Sequence, residues 1–351
     1  MVTRVNKDTP KVVRAVPDVG EISFSPTVVS TNFGLALITL TLLILAAVVF
    51  NETLEENEQR VHGILKSVAA PFAGLFAGFG GAASGFGKLP RWARTIVPTL
   101  LALALAAALY GLEEPGSGLN QKSLVLFVSY LGAFAVVTYA WDGTQALVCR
   151  RFGVPAVVRV FPMGVLVAVV AVALTRILGF QPGLMYGFVA ANAIVAPATL
   201  TAEQEGKKAL WSSIVLLSLC AVAWALVGPL RTVSQDHSGF WAAVPEGIAV
   251  GLFVSGLEGL FFQMIPIEFL DGRKLFDWNK GAWLVITLIS GFLFWEALLN
   301  DDQQSLSALE QTKTIIALVV CLACLVATIA LWLFFRALGP HHPAEAVADS
   351  D

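Results

Sequence analysis

The residues best suited to chemistry lie in one short polar stretch, residues 268–280, between two apolar runs. Asp271 stands there close to Arg273 and Lys274, so a carboxylate and two cations share four residues. A carboxylate in such a place can bind a metal ion, carry a proton or cap a helix. The preceding Pro266 lacks a backbone donor and is expected to end the helix before it.

The same stretch has the chemistry of a turn followed by a helix. Asp271-Gly272 is a turn dipeptide, and aspartate is a favoured N-cap residue. We therefore predict that the Asp271 carboxylate accepts backbone N–H groups of a helix that starts near Arg273. On the simplest interpretation, the stretch is a cytoplasmic loop between two membrane helices.

Polar residues also interrupt two apolar segments upstream. Asp142 and Gln145 lie within one of them, and Glu258 lies within the segment that leads to Asp271. An ionisable group inside a membrane is costly and normally faces a partner or a cavity. Two interpretations stay open. These side chains form hydrogen bonds between helices, or Asp142, Gln145, Glu258 and Asp271 line a polar pocket that opens toward the cytoplasm.

The composition is that of a membrane protein. Of the 351 residues, 57% are hydrophobic and 13% are charged, and the mean hydropathy is +0.76. Soluble domains carry about 25% charged residues, so we predict a lipid bilayer as the surroundings of this chain. The net charge of −3 indicates no nucleic-acid partner.

Ten apolar segments predict an all-α, polytopic membrane helix bundle with about ten transmembrane helices. They are residues 33–50, 67–87, 94–112, 123–148, 161–178, 184–200, 209–230, 241–265, 282–299 and 314–335. The glycine-rich stretch 67–87 gives the weakest signal, and nine helices remain if it is re-entrant. With ten crossings the basic loops fall on one side. Because positive loops stay inside, we predict that both termini and the loop at Asp271 are cytoplasmic.

The stretch around Asp271 resembles the LDG region of site-2 proteases, which are intramembrane zinc metalloproteases. The matching residues are Pro266, Leu270, Asp271, Gly272, Lys274, Trp278, Asn279 and Lys280. The chain is also similar to actinobacterial membrane proteins with an FGLLP motif, with residues 258–261 at the motif position. The resemblance implies a multi-pass protein of a bacterial plasma membrane, and it implies that Asp271 corresponds to a zinc ligand.

The resemblance covers residues 123–299 and divides the chain into five predicted parts. They are a cytoplasmic polar N-terminal segment (1–32), a first group of membrane helices (33–122), a site-2 protease-like membrane core (123–299), a last membrane helix (300–338) and a disordered tail (339–351).

The catalytic motif of that family is missing. A site-2 protease needs His-Glu-x-x-His on a membrane helix, because two histidines one turn apart bind zinc and the glutamate activates water. The four histidines here, His62, His237, His341 and His342, lie outside the predicted spans. Aligning Arg150-Arg151-Phe152-Gly153 with the family pattern puts Trp141, Asp142 and Gln145 at the three motif positions. We predict no zinc, no other cofactor and no catalytic residues.

Three functions follow from these observations. The first is a non-catalytic scaffold that keeps the protease-like fold and holds a membrane-protein partner, which the sequence does not name. The second is a transporter or channel component that uses the intramembrane carboxylates. The third is a metalloprotease with an unusual metal site, which needs a histidine from a loop or the tail.

Overall fold

The computed structural model describes residues 6–61, 63, 93–112, 114, 118–160, 162–178, 190–194, 199–237, 239–299 and 312–338. These ranges contain helices, two π-helical segments and two short strands. In chain order they are α1 (Lys11–Arg14), α2 (Pro26–Glu56), α3 (Ala93–Gly111), α4 (Gln121–Thr138), π1 (Tyr139–Gly143), α5 (Thr144–Arg151), β1 (Ala156–Val160), α6 (Pro162–Leu178), β2 (Ala190–Ile194), α7 (Ala202–Asp236), α8 (Phe240–Gln263), α9 (Asp271–Trp278), α10 (Lys280–Leu293), π2 (Phe294–Leu299) and α11 (Thr312–Ala337).

Six of the described helical stretches are long and apolar enough to cross a membrane. They are Pro26–Glu56, Gln121–Arg151, Ala202–Asp236, Phe240–Gln263, Lys280–Leu299 and Thr314–Ala337, with two shorter apolar helices at Ile96–Gly111 and Ala168–Ile177. The prediction of an all-α polytopic membrane bundle is confirmed.

Helix α8 forms the centre of the bundle and packs closely on α4 and α7. Its glycines allow this approach: Gly247 lies against Ser129 and Gly251 against Ala133, both on α4. Gly256 lies against Cys220 of α7. Small residues let membrane helices come close enough for dispersion contacts along their length. Since the contact positions rise together on α8 and α4, these two helices run parallel.

The N-terminal arm, residues 6–25, packs on the end of the bundle opposite Asp271. The Glu114 carboxylate accepts hydrogen bonds from the backbone N–H groups of Lys11 and Val12, at 2.9 and 3.1 Å. Arg231, near the end of α7, donates to Val16 O at 2.7 Å. We call this the arm end of the bundle, and we call the end that carries Asp271 the LDG end.

The described arm, residues 6–25, and the Asp271 loop lie at opposite ends of the bundle, whereas the sequence predicts the N-terminal segment and this loop on one side. Lys274, just after Asp271, pairs with Glu205 in the first turn of α7, whereas the arm contacts its last turns. Helix α7 has 35 residues and is therefore about 50 Å long. The basic arm follows its packing rather than its charge, because Val12 and Val16 are buried and Glu114 and Arg231 bind its backbone.

The predicted crossing by residues 67–87 lies outside the described residues. Of the helices before and after it in the chain, α2 ends at the LDG end, where Asn51 contacts Pro266 O. Helix α3 ends near the arm end, where Arg176 donates to Leu112 O at 2.7 Å.

The predicted helix over residues 184–200 is also corrected. Part of it is strand β2, which pairs with β1 in an antiparallel ribbon, with Ala156 opposite Ile194 and Val160 opposite Ala190. Strand β1 is rich in β-branched valine, which favours strands. Pro182 and Pro197 flank β2 in the sequence, and proline interrupts helices.

We predict that residues 24 and 277 react from opposite sides of a sealed membrane, because the arm and the LDG end lie at opposite ends of the bundle. Phe24 and Asp277 are both exposed. The variants Phe24→Cys and Asp277→Cys, each with the exposed Cys324 changed to Ser, are treated with a membrane-impermeant maleimide in vesicles of each orientation. Labelling of both positions from the same side would contradict this arrangement.

Candidate functional site

The loop between α8 and α10 is fixed by hydrogen bonds to its backbone. Helix α8 ends at Gln263, and Pro266 follows its last turn, as predicted. The Trp283 indole N–H donates to Met264 O at 2.8 Å, and the Asn51 amide donates to Pro266 O at 2.9 Å. Both hydrogen bonds are buried, and a buried backbone carbonyl needs such a partner.

Gly272 lets the loop turn back onto the end of α8. A Cβ atom at this position would overlap the carbonyl group of Met264 and lie 2.7 Å from Gln263 O. Both neighbours are backbone groups, which cannot move aside as a flexible side chain can. The close approach fixes the adjacent Asp271 relative to α8.

Asp271 does not cap the following helix as predicted. It is the first residue of α9, the N-cap is Leu270, and no side-chain cap hydrogen bond forms there. The carboxylate is used elsewhere: Oδ2 accepts a hydrogen bond from Gln145 Nε2 at 2.6 Å, and Oδ1 lies 3.4 Å from Lys274 Nζ. The Asp271 carboxylate, which could have accepted a backbone N–H of α9, instead accepts the amide N–H of Gln145 on the distant helix α5.

An alternating series of charges continues from Asp271 onto α7. Lys274 Nζ lies 3.2 Å from Glu205 Oε2, and the same oxygen lies 3.0 Å from Lys208 Nζ. Burial lowers the pKa of the Lys274 ammonium group, but the carboxylates of Asp271 and Glu205 outweigh this and hold that pKa above its usual value. The ammonium therefore stays charged at neutral pH, and the two carboxylates and two ammonium groups balance.

Glu205, Lys208 and Asn51 belong to the site but are not among the residues predicted for it. A signal for the first two was present, because Thr201 and Gln204 form a capping box that starts α7, and the charged run lies in its first turns. Nothing in the sequence pointed to Asn51, which lies at the end of an apolar helix and is buried.

The remaining residues of the LDG resemblance position α9 and α10. Trp278 packs directly on Gly206 of α7, where a Cβ atom would overlap the indole side chain. Asn279 caps α10 by accepting a hydrogen bond from Ala282 N at 2.9 Å. Lys280 Nζ lies 5.1 Å from the centre of the Phe276 ring, a cation–π contact.

Asp142 lies one turn before Gln145, within the π-helical segment π1, and is 3% exposed. Such segments are rare and frequently mark functional sites. Glu258 is 1% exposed on α8, seven residues after Gly251, which faces α4. Helical periodicity places Glu258 on that same face, level with π1. Of the four predicted pocket residues, direct contact joins Gln145 to Asp271, while Asp142 and Glu258 lie deeper in the bundle.

The residues present do not fit a catalytic zinc ion. Such a site needs three ligands with free electron pairs around one open position. Here the Asp271 oxygens face an amide N–H and an ammonium group. Among the described residues, no group of three His, Cys, Asp or Glu side chains could hold a metal ion.

We predict that Gly272→Ala destabilises the protein, because the new Cβ atom meets the Met264 carbonyl group. Overpacking of this kind costs about 1–3 kcal/mol and should lower the melting temperature in detergent. Gly34→Ala is the matched control, since nothing lies within 4 Å of a Cβ atom there and alanine favours the helix. Equal melting temperatures for the two variants would show that the loop does not approach α8 as described.

We predict that Gln145→Glu destabilises the protein at neutral pH, by about 1–3 kcal/mol, because a second carboxylate replaces the N–H donor to Asp271. The folded pair binds a proton more tightly than the unfolded chain does. The loss therefore grows as the pH rises above the ordinary carboxyl range of about 4 and disappears below it. Gln145→Met removes the hydrogen bond without adding charge, so its melting temperature should lack this pH dependence. A pH-independent Gln145→Glu variant would disprove the contact.

Part of this chain is similar in sequence to a known protein. A protein of Methanocaldococcus jannaschii named "Putative zinc metalloprotease MJ0611" is 31% identical over 115 residues, which are 32% of this chain and 56% of that protein. The chain thus spans about half the length of this relative. No family model matches the chain, and no solved structure matches it. The match supports a site-2 protease-like relationship for part of this membrane protein.

Proposed function

We propose that this protein is a non-catalytic relative of site-2 proteases that holds a membrane-protein partner beside the Asp271 loop. The hydrogen bond from Gln145 Nε2 to Asp271 Oδ2, at 2.6 Å, carries the proposal. This hydrogen bond engages the Asp271 carboxylate, which the resemblance equates with a zinc ligand. Its donor, Gln145, lies at the position of the second zinc-binding histidine in the family's motif.

The charges around Asp271 support the same function. A carboxylate without a cation is unstable at membrane depth, and zinc would supply that charge in a protease. Lys274 neutralises Asp271 here, and its contact with Glu205 extends the charge balance to α7. Asp271 and Gln145 together hold α5 against α9, which gives them a structural role that needs no metal.

The family and cellular setting belong to the same proposal. We propose an affinity with FGLLP-motif proteins, a place in a bacterial plasma membrane, and a protease-like core over residues 123–299 with further membrane helices before and after it. The LDG end, with Lys208, Lys274 and the exposed Lys280, is proposed to be cytoplasmic, because positive loops stay inside.

Transport is the second candidate, and one observation favours it. Glu296 in π2 is buried and accepts a hydrogen bond from Asn32 Nδ2 at 2.7 Å. With Asp142 in π1, each π-helical segment therefore carries a buried carboxylate, and such groups often bind protons or cations in membrane proteins. For a metalloprotease with an unusual metal site, His237 is the one histidine within the described residues. It follows α7 at the arm end, about 50 Å of helix away from Asp271, so it does not supply a ligand there.

Photocrosslinking tests the proposed function. We predict that a benzoyl-phenylalanine at Phe269, an exposed side chain of the LDG loop, gives one discrete adduct with a membrane protein in native membranes. Benzoyl-phenylalanine in place of Phe334, an exposed phenylalanine of α11, should give no adduct with a membrane protein, because that face of the helix meets lipid. Purified wild-type protein should also contain less than stoichiometric zinc by elemental analysis.

Two results would contradict the proposal. Indistinguishable adducts from positions 269 and 334 would remove the evidence for a partner at the loop. One zinc ion per chain, lost in Asp271→Ala, would restore the protease function. Proton or cation uptake by reconstituted vesicles that stops in Asp142→Asn or Glu296→Gln would favour transport.

A further inference from the structure

The loop that carries Asp271 is held on one side by a helix from outside the protease-like core. Asn51 of α2 is buried, and both polar atoms of its side chain contact the loop backbone. Its Nδ2 donates to Pro266 O at 2.9 Å, and its Oδ1 accepts from Glu268 N at 3.1 Å. The amide therefore pairs with the chain on both sides of Ile267, as a neighbouring peptide group would.

The aromatic rings next to these hydrogen bonds strengthen the same contact. Phe50 of α2 meets Phe269 edge-on, with ring centroids 6.4 Å apart. Asp271 follows Phe269 by two residues, and Gly272 fixes the chain against the end of α8. Only a short, tightly turned segment separates the Asn51 contact from the carboxylate that accepts from Gln145.

Helix α2 is itself fixed far from the loop. Asn32 donates to Glu296 Oε2 at 2.7 Å, and the Trp295 indole N–H donates to Thr39 Oγ1 at 3.2 Å. Asn32, Thr39 and Asn51 are all buried. A helix with buried polar contacts at both ends and between them behaves as a rigid element, since breaking each contact leaves polar groups without partners in an apolar setting.

We propose that Asn51 is a positioning residue for the Asp271 site, through which α2 sets the geometry of the Gln145–Asp271 contact. The residue touches neither side chain of that pair. It acts on them by fixing the backbone at Pro266 and Glu268, so that Asp271 lies within reach of Gln145. A site assembled from α5 and α9 thus depends on the first long helix of the chain.

Helix α2 lies outside residues 123–299, which carry the resemblance to site-2 proteases, so this contact is a property of the present chain. The inference deepens the proposed function, because it concerns the same site. It is tested on the protein alone, however, so it can fail while partner crosslinking succeeds, and it can hold if no partner is found.

Spin-label distances in the purified full-length chain provide the test. One label pair, Arg151→Cys with Asp277→Cys, spans the Gln145–Asp271 contact from exposed positions on α5 and α9. A second pair, Phe24→Cys with Val233→Cys, reports the arm end from exposed positions. Both pairs carry Cys324→Ser, which removes the exposed native thiol.

We predict that Asn51→Leu shifts and broadens the distance distribution of the 151–277 pair and leaves the arm-end pair unchanged. The side chain keeps its size but loses both loop hydrogen bonds. Asn57→Leu is the matched control on the same helix, because the Asn57 amide donates to Thr53 O of α2 itself; it should leave both pairs unchanged.

Asn51→Asp extends the test if Asn51→Leu does not fold. The charged carboxylate accepts from Glu268 N but repels Pro266 O, whereas the protonated form can donate to Pro266 O and restore both contacts. The 151–277 distribution should therefore be displaced at neutral pH and return to that of the wild type as the pH falls. An unchanged 151–277 distribution in folded Asn51→Leu, or a pH-independent one in Asn51→Asp, would overturn the proposal.

Discussion

A buried backbone polar group needs a hydrogen-bond partner inside the protein, and this requirement shapes the loop that carries Asp271. Helix α8 ends at Gln263 and α9 starts only at Asp271, so several backbone groups between them fall outside helical hydrogen bonding. Side chains from two other helices supply the missing partners, Trp283 from α10 and Asn51 from α2. The loop therefore joins α2, α8 and α10, and its shape depends on all three.

Charge balance imposes the second requirement on the same region. Asp271, Lys274, Glu205 and Lys208 alternate in sign along a series of contacts from α9 to α7. Buried charges are tolerated when each has an opposite neighbour and further hydrogen bonds. The Gln145 amide adds such a bond to Asp271 without adding charge. The Asp271 carboxylate is therefore satisfied by an amide hydrogen bond and an ammonium group.

The two π-helical segments connect this region with the other end of α2. Asp142 lies in π1, one turn from Gln145, and Glu296 lies in π2, where it accepts from Asn32. Each segment widens a membrane helix at the position of a buried carboxylate, a feature often retained for function. Helix α2 contacts both the π2 carboxylate and the LDG loop, through Asn32 and Asn51 respectively.

The sequence alone predicts the membrane class, the approximate extent of the long apolar helices and the end of α8 before Pro266. These properties depend on hydrophobicity and on the backbone of single residues, which neighbours along the chain decide. Contacts between distant elements set three further features. They are the partner of Asp271, which is 126 positions away in sequence, the pairing of β1 with β2, and the end of the bundle to which the basic arm binds. In each of these, a local preference competes with a contact to a distant element. The local preferences are N-capping, helix formation and the placement of positive charge. For Asp271 and for the arm, the distant contact prevails because it supplies hydrogen-bond partners that the local arrangement would not.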